Sequence, residues 1–173
     1  LLESSASQFG INAGVILPLG SVKLDVATSL IFLGETVEPK NVDKNEVNQT
    51  IFSINTRAFW GLSKKVELVP TFNFTTASGE VKVGTMKNNI PTLTQVSAGL
   101  GMNYRVGEIL LTGGPSVVYM SAKRDAIKDN AGTQLSPSLT NSITVFPAWN
   151  LGAEWNLTSW LTGRLGYDSY TLK

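Results

Sequence analysis

The sequence predicts an all-β fold: an antiparallel up-and-down transmembrane β-barrel, built as a single domain over residues 1–173. Three observations predict it. Apolar and polar residues alternate with period two along almost the whole chain, which puts neighbouring side chains of a strand on opposite faces. The connections between the alternating segments are short and long by turns. The apolar half of each segment is strongly hydrophobic, whereas the polar half is small and mostly uncharged. Bulk composition agrees. Charged residues make up 16% of the chain, against roughly a quarter in soluble domains. No run reaches the ~18 consecutive apolar residues that a spanning helix needs. A net charge of +1 leaves no electrostatic footprint for nucleic acid, and no nucleic-acid partner is assigned.

Eight strands are expected, at about 8–17, 22–37, 50–62, 66–78, 92–106, 109–124, 142–155 and 160–172. The first leads into the short turn Pro18 to Ser21. The second sets Val22, Leu24, Val26, Leu30 and Phe32 against Lys23, Asp25, Ala27 and Ser29. The third ends at the short turn Ser63 to Lys65. The fourth sets Val66, Leu68, Pro70, Phe72 and Phe74 against Glu67, Thr71, Asn73 and Thr75. The fifth alternates most clearly, with Val96, Ala98, Leu100, Met102 and Tyr104 against Gln95, Ser97, Gly99, Gly101, Asn103 and Arg105. The sixth follows the short turn Val106 to Glu108. The seventh sets Ile143, Val145, Trp149, Leu151, Ala153 and Trp155 against Thr144, Asn150, Gly152 and Glu154, and the turn Asn156 to Ser159 leads into the eighth. Long loops are expected at Glu38 to Gln49, Gly79 to Pro91 and Asp125 to Asn141. Pro70, Pro115 and Pro147 fall inside strands and remove ladder donors, so bulges or kinks are expected there, foremost at Gly113-Gly114-Pro115.

The orientation of the faces separates a membrane barrel from a soluble one. The polar side is mainly Gly, Ser, Thr, Asn and Gln, where a water-exposed sheet would carry more Lys and Glu. Strand charges fall on that polar side, as required if the other side meets lipid. Aromatic residues gather near strand ends. Trp60, Tyr104, Trp155 and Trp160 form one belt near the short turns, and Phe32, Phe74, Tyr119, Tyr167 and Tyr170 form a second toward the opposite end. Two belts are what the interfaces of a bilayer favour.

These features resemble the bacterial outer-membrane β-barrel superfamily. Gly152-Ala153-Glu154-Trp155-Asn156-Leu157-Thr158, followed by Trp160-Leu161-Thr162-Gly163-Arg164-Leu165-Gly166-Tyr167, is similar to a pair of late strands in such proteins. The resemblance is architectural and porin-like, and points to no one family within the superfamily. It implies export, location in the bacterial outer membrane, contact with its lipid and lipopolysaccharide, and an even strand number. Such barrels usually begin and end in the periplasm. Because the first strand enters a short turn and the eighth leaves one, at least one strand is expected before Phe9 and one after Tyr170. The eight strands would then be part of a barrel of ten or more.

By parity the lumen side carries Lys23, Asp25, Arg57, Glu67, Arg105, Glu154, Arg164 and Asp168. Signs are balanced, so the reading preferred is a network of ion pairs bracing a narrow lumen; a mixed-charge constriction tuning a pore is the alternative. No catalytic residue is assigned. The chain holds no histidine, its serines lack a base partner, and Asp25 and Glu67 read as ion-pair partners, not as an acid–base couple. No cofactor or metal is assigned; the loop Glu35 to Glu46 carries Glu38, Asp43 and Glu46, an oxygen-only set compatible with weak, unspecific calcium binding. The function expected is a passive porin-like channel or membrane-anchoring scaffold. The alternatives are a structural subunit that meets protein partners through its long loops, a transporter of hydrophobic solutes, and a soluble lipocalin-like ligand-binding barrel.

Overall fold

A computed structural model describes residues 2–39, 43–128 and 134–172. In chain order the strands are β1 (Leu2–Leu19), β2 (Val22–Pro39), β3 (Asn45–Gly61), β4 (Val66–Val83), β5 (Met86–Val106), β6 (Ile109–Arg124), β7 (Ile127–Lys128), β8 (Gln134–Ser136), β9 (Leu139–Asn156) and β10 (Thr162–Leu172). Eight of them form a single sheet in the order β1-β2-β3-β4-β5-β6-β9-β10. Every neighbouring pair is antiparallel. β7 and β8 pair separately with each other. The large sheet does not close, because β1 and β10 each have one neighbour. Its strands run from 11 residues in β10 to 21 in β5, well beyond the usual five or six of a globular sheet.

The eight expected strands are all present, but the long connections differ from expectation. Gly79 to Pro91 is not a loop. β4 continues to Val83, β5 begins at Met86, and Lys82 pairs with Lys87 across a two-residue turn. Val81 and Val83 alternate with Glu80 and Lys82, so this segment is a hairpin despite its polarity. Gly84, at the first turn position, has φ of 57°, in the left-handed region where a Cβ is disfavoured. Gly20 and Gly107 occupy the same position in the turns before β2 and β6. A Gly-X pair between alternating segments is a hairpin signal, and at Gly84-Thr85 it overrides polar composition. Strand pairing also takes up most of Glu38 to Gln49, whose residues 40–42 lie outside the described ones. The third expected loop holds β7 and β8, and its residues 129–133 are likewise undescribed.

The prolines act in two ways. At Pro147 the register between β6 and β9 shifts by one residue, between the pairs Ser116–Ala148 and Val118–Val145. The same step appears on the β10 side, so Phe146-Pro147 is a bulge of β9. A second shift sits on β5 at Pro91-Thr92, opposite Ser78. At Pro70 and Pro115 the ladders skip pairs but keep register. The expectation of a bulge at Gly113-Gly114-Pro115 is therefore corrected. A Cβ on Gly114 would collide with the Leu100 carbonyl oxygen, so the bare glycine lets β5 and β6 stay close where the ladder opens. The Pro147 bulge carries a second correction. A one-residue shift moves side chains to the other face, so Ile143 and Val145 leave the apolar face they were expected to share with Trp149 and Leu151.

Candidate functional surface

Register divides the sheet into two faces. The apolar face carries Phe9, Ile11 and Leu17 of β1, Leu24, Leu30 and Phe32 of β2, Phe52, Ile54 and Trp60 of β3, and Leu68 and Phe72 of β4. It continues through Leu100, Met102 and Tyr104 of β5, Leu111 and Tyr119 of β6, Trp149, Leu151 and Trp155 of β9, and Leu165 and Tyr167 of β10. Many of these are exposed, among them Phe9 at 61%, Leu100 at 51% and Leu165 at 69%. The polar face is the sheltered one. Ala77 and Val145, the buried hydrophobic residues among those described, both belong to it by register. Hollows of about 460 and 330 Å³ open on this side.

All eight charged residues expected on one side share this polar face. Asp25 lies opposite Arg57, whose Nε and Nη2 donate to Asp25 Oδ2 at 2.9 and 2.8 Å. Glu154 lies opposite Arg164, whose Nε donates to Glu154 Oε2 at 2.7 Å. Asn103 Nδ2 donates to Glu67 Oε2 at 2.9 Å. Lys23 Nζ sits 5.0 Å from the Phe59 ring centroid and Arg57 Cζ 5.4 Å from it. Arg105 lines a hollow with Glu67 and Asn103, and Asp168 is opposite Asn150. The arrangement is a set of separate cross-strand partnerships, not one continuous network. Phe59 escaped the sequence reading, although its parity with Arg57 places it on this face, where its ring meets two cations.

Above this charged band the polar face changes character. Cross-strand register sets Asn73 beside Ser97, joined by a hydrogen bond of 3.0 Å. Ser29 and Ser53 hydroxyls lie 2.7 Å apart. Higher still, one row across the sheet reads Ile31, Ile51, Ala77, Leu93, Ala122 and Asn141. The row beneath it ends in Thr75, Gln95, Met120 and Ile143. Apart from Ile31, these residues of the two rows line the 460 Å³ hollow.

The aromatic residues divide similarly. Trp60, Tyr104 and Trp155 lie on the apolar face near the turns 62–65, 107–108 and 157–161. Trp160 is in the last of these turns, 81% exposed. Phe32 stacks on Phe9 at 6.4 Å toward the opposite end, and Tyr119 and Tyr167 share the apolar face. The second expected belt does not form a row at one end: Tyr119 shares a cross-strand row with Phe74 through Val96, and Tyr167 is the middle residue of β10. Phe74 lies in mid-strand, edge-on to Phe52 at 6.4 Å. Tyr170 pairs with Ala148, which puts it on the polar side with Asp168. At the end where β2 meets β3, Lys44 bridges Glu38 at 3.2 Å and Glu46 at 3.1 Å. The hydrogen bond to Glu46, then that to Glu38, raises the Lys44 pKa above the ordinary lysine value. A lysine thus occupies the centre of the cluster weighed for calcium. Among the described residues no group of three or more carboxylates could hold a metal ion. No protein-family model, no curated protein and no solved structure matches the chain.

Proposed function

We propose that this chain forms part of the wall of a bacterial outer-membrane β-barrel, with its apolar face toward lipid and its polar face toward the lumen. Its role is that of a passive channel or membrane-anchoring scaffold. The observation that carries this reading is the inversion of the faces. The sheltered, hollow side of the sheet is polar and carries paired charges, and the outer side presents contiguous large hydrophobic residues. A soluble ligand-carrying barrel needs the opposite arrangement, and an apolar surface of this extent is a liability in water.

Dimensions support the same reading. Val22 lies opposite Trp60, and ten residues further along β2 comes Phe32. That is ~33 Å of strand, or ~25 Å of height at a tilt of ~40°, which matches the apolar band of an outer-membrane barrel. The free edges of β1 and β10 would be costly in hydrocarbon, so the reading requires further strands, or further chains, to complete the wall. It also gives outer-membrane lipid and lipopolysaccharide as the surroundings. Flotation tests it: chain refolded with phospholipid vesicles should rise with them through a density gradient and resist carbonate extraction. Protein that stays soluble and monomeric without detergent or lipid would overturn it.

A further inference from the structure

We infer that the upper hollow of the polar face is a binding site for an uncharged, mainly apolar small molecule. The assignment rests on the reading of this face as a lumen. Four observations carry it. The hollow measures about 460 Å³, the scale of small-ligand sites. Its floor consists of Ile51, Ala77, Leu93, Met120 and Ile143, with no charged side chain in either row, whereas the neighbouring 330 Å³ hollow is built around Asp25 and Arg57. Six of the lining residues are polar, but register turns Thr94, Ser121 and Ser142 to the other face and leaves Thr75, Gln95 and Asn141 facing the hollow, a small set of orienting groups in an apolar pocket.

The fourth observation concerns how the apolar lining arises. Without the bulge at Phe146-Pro147, Ile143 and Val145 would continue the lipid-facing row of Trp149 and Leu151, and Thr144 would face inward. The register shift turns Ile143 into the hollow and buries Val145 beneath it, at 6% exposure. A wall that only holds open a water-filled channel gains nothing from exchanging an inward threonine for isoleucine and valine. Met120, unbranched and polarizable, suits a pocket that adapts its shape to the ligand. A charged molecule would lose its hydration without a counter-charge, which sets the chemical class.

The three methionines, Met86, Met102 and Met120, make the test. Methyl-¹³C-methionine protein in lipid nanodiscs is titrated with naphthalene while methyl shifts are followed. Met120 should show a saturable ring-current shift. Met102, on the apolar face, should respond only in proportion to naphthalene dissolved in the lipid, and Met86, beside the hairpin turn, should not move. L93N and I143S should weaken the saturable response about tenfold, the scale of burying an unpartnered polar group, while the Met102 response persists and reports a folded protein. 2-Naphthoate should give no saturable Met120 shift. A Met120 response that is absent, or that rises linearly in parallel with Met102, overturns the site, and equal binding of naphthoate overturns the ligand class. If flotation shows no membrane association, the same titration in buffer still decides the hollow independently of the barrel.

Discussion

Asp25 and Arg57 form a cross-strand ion pair that is open to solvent. The geometry is good, at 2.8 Å, and Asp25 is the more sheltered partner, but the Arg57 side chain is 59% exposed. An ion pair that open is screened by water and is worth no more than about 1 kcal/mol. A double-mutant cycle of D25N and R57Q, read from unfolding in lipid, should therefore give a coupling under about 1 kcal/mol. A coupling of several kcal/mol would mean that this face is dry, contrary to a hydrated lumen. Gly114 makes a steric case at the same scale. Because a Cβ there meets the Leu100 carbonyl oxygen, G114A should destabilise by about 1–3 kcal/mol, the usual cost of overpacking. Equal stability of G114A and wild type in a denaturant titration would show that β5 and β6 can part at Pro115 without penalty.

The β4–β5 hairpin carries its own electrostatic signature. Lys87 and Lys82 both reach Glu80. The hydrogen bond from Lys87 is the main cause that lowers the Glu80 pKa below the ordinary carboxylate value, with burial opposing it and Lys82 adding to it. Since the folded-state pKa is the lower one, the contribution of this contact is present above the unfolded value and is lost as pH falls through the folded value. Amide exchange at Gly84 and Thr85 should accordingly quicken on acidification through that window, beyond the intrinsic pH dependence, and E80Q should remove the extra step. At Gly84 itself the left-handed φ argues for a further result. G84V should loosen the same amides and cost on the order of 1 kcal/mol in a chain that otherwise keeps its sheet.

The whole molecule is decided by which face meets which solvent. F72R puts a charge in the middle of the apolar face, between the rows of Trp60 and Phe32, where lipid would make it cost about 2–4 kcal/mol. T112R, on the polar face, should cost far less. The two variants, compared by unfolding from vesicles, check the inversion directly: similar small costs would mean that the apolar face is not in hydrocarbon. The sheet's free edges at β1 and β10 matter at this scale too, because under the proposed membrane reading each edge would need a partner.

Alternation together with the short connections determined that the chain is an antiparallel sheet of eight long strands, and alternation assigned Lys23, Asp25, Arg57, Glu67, Arg105, Glu154, Arg164 and Asp168 to one side. The strands and their faces follow from the two-residue period of an extended chain, which is local and needs no neighbour, and the antiparallel order follows from turns too short to cross over. Polar composition misled at Glu80 to Lys87, where pairing across Gly84-Thr85 satisfies the backbone whatever the side chains are. Partners were not legible, because the identity of the residue across a strand depends on register, and register depends on turn length and bulges. The pairing of Asp25 with Arg57 and the ring of Phe59 beneath Lys23 came only with it. The apolar hollow is the clearest case. Ile143 and Val145 read as lipid-facing from their spacing, and only the bulge at Phe146-Pro147, set by how β9 lies against β6 and β10, turned them to the other side.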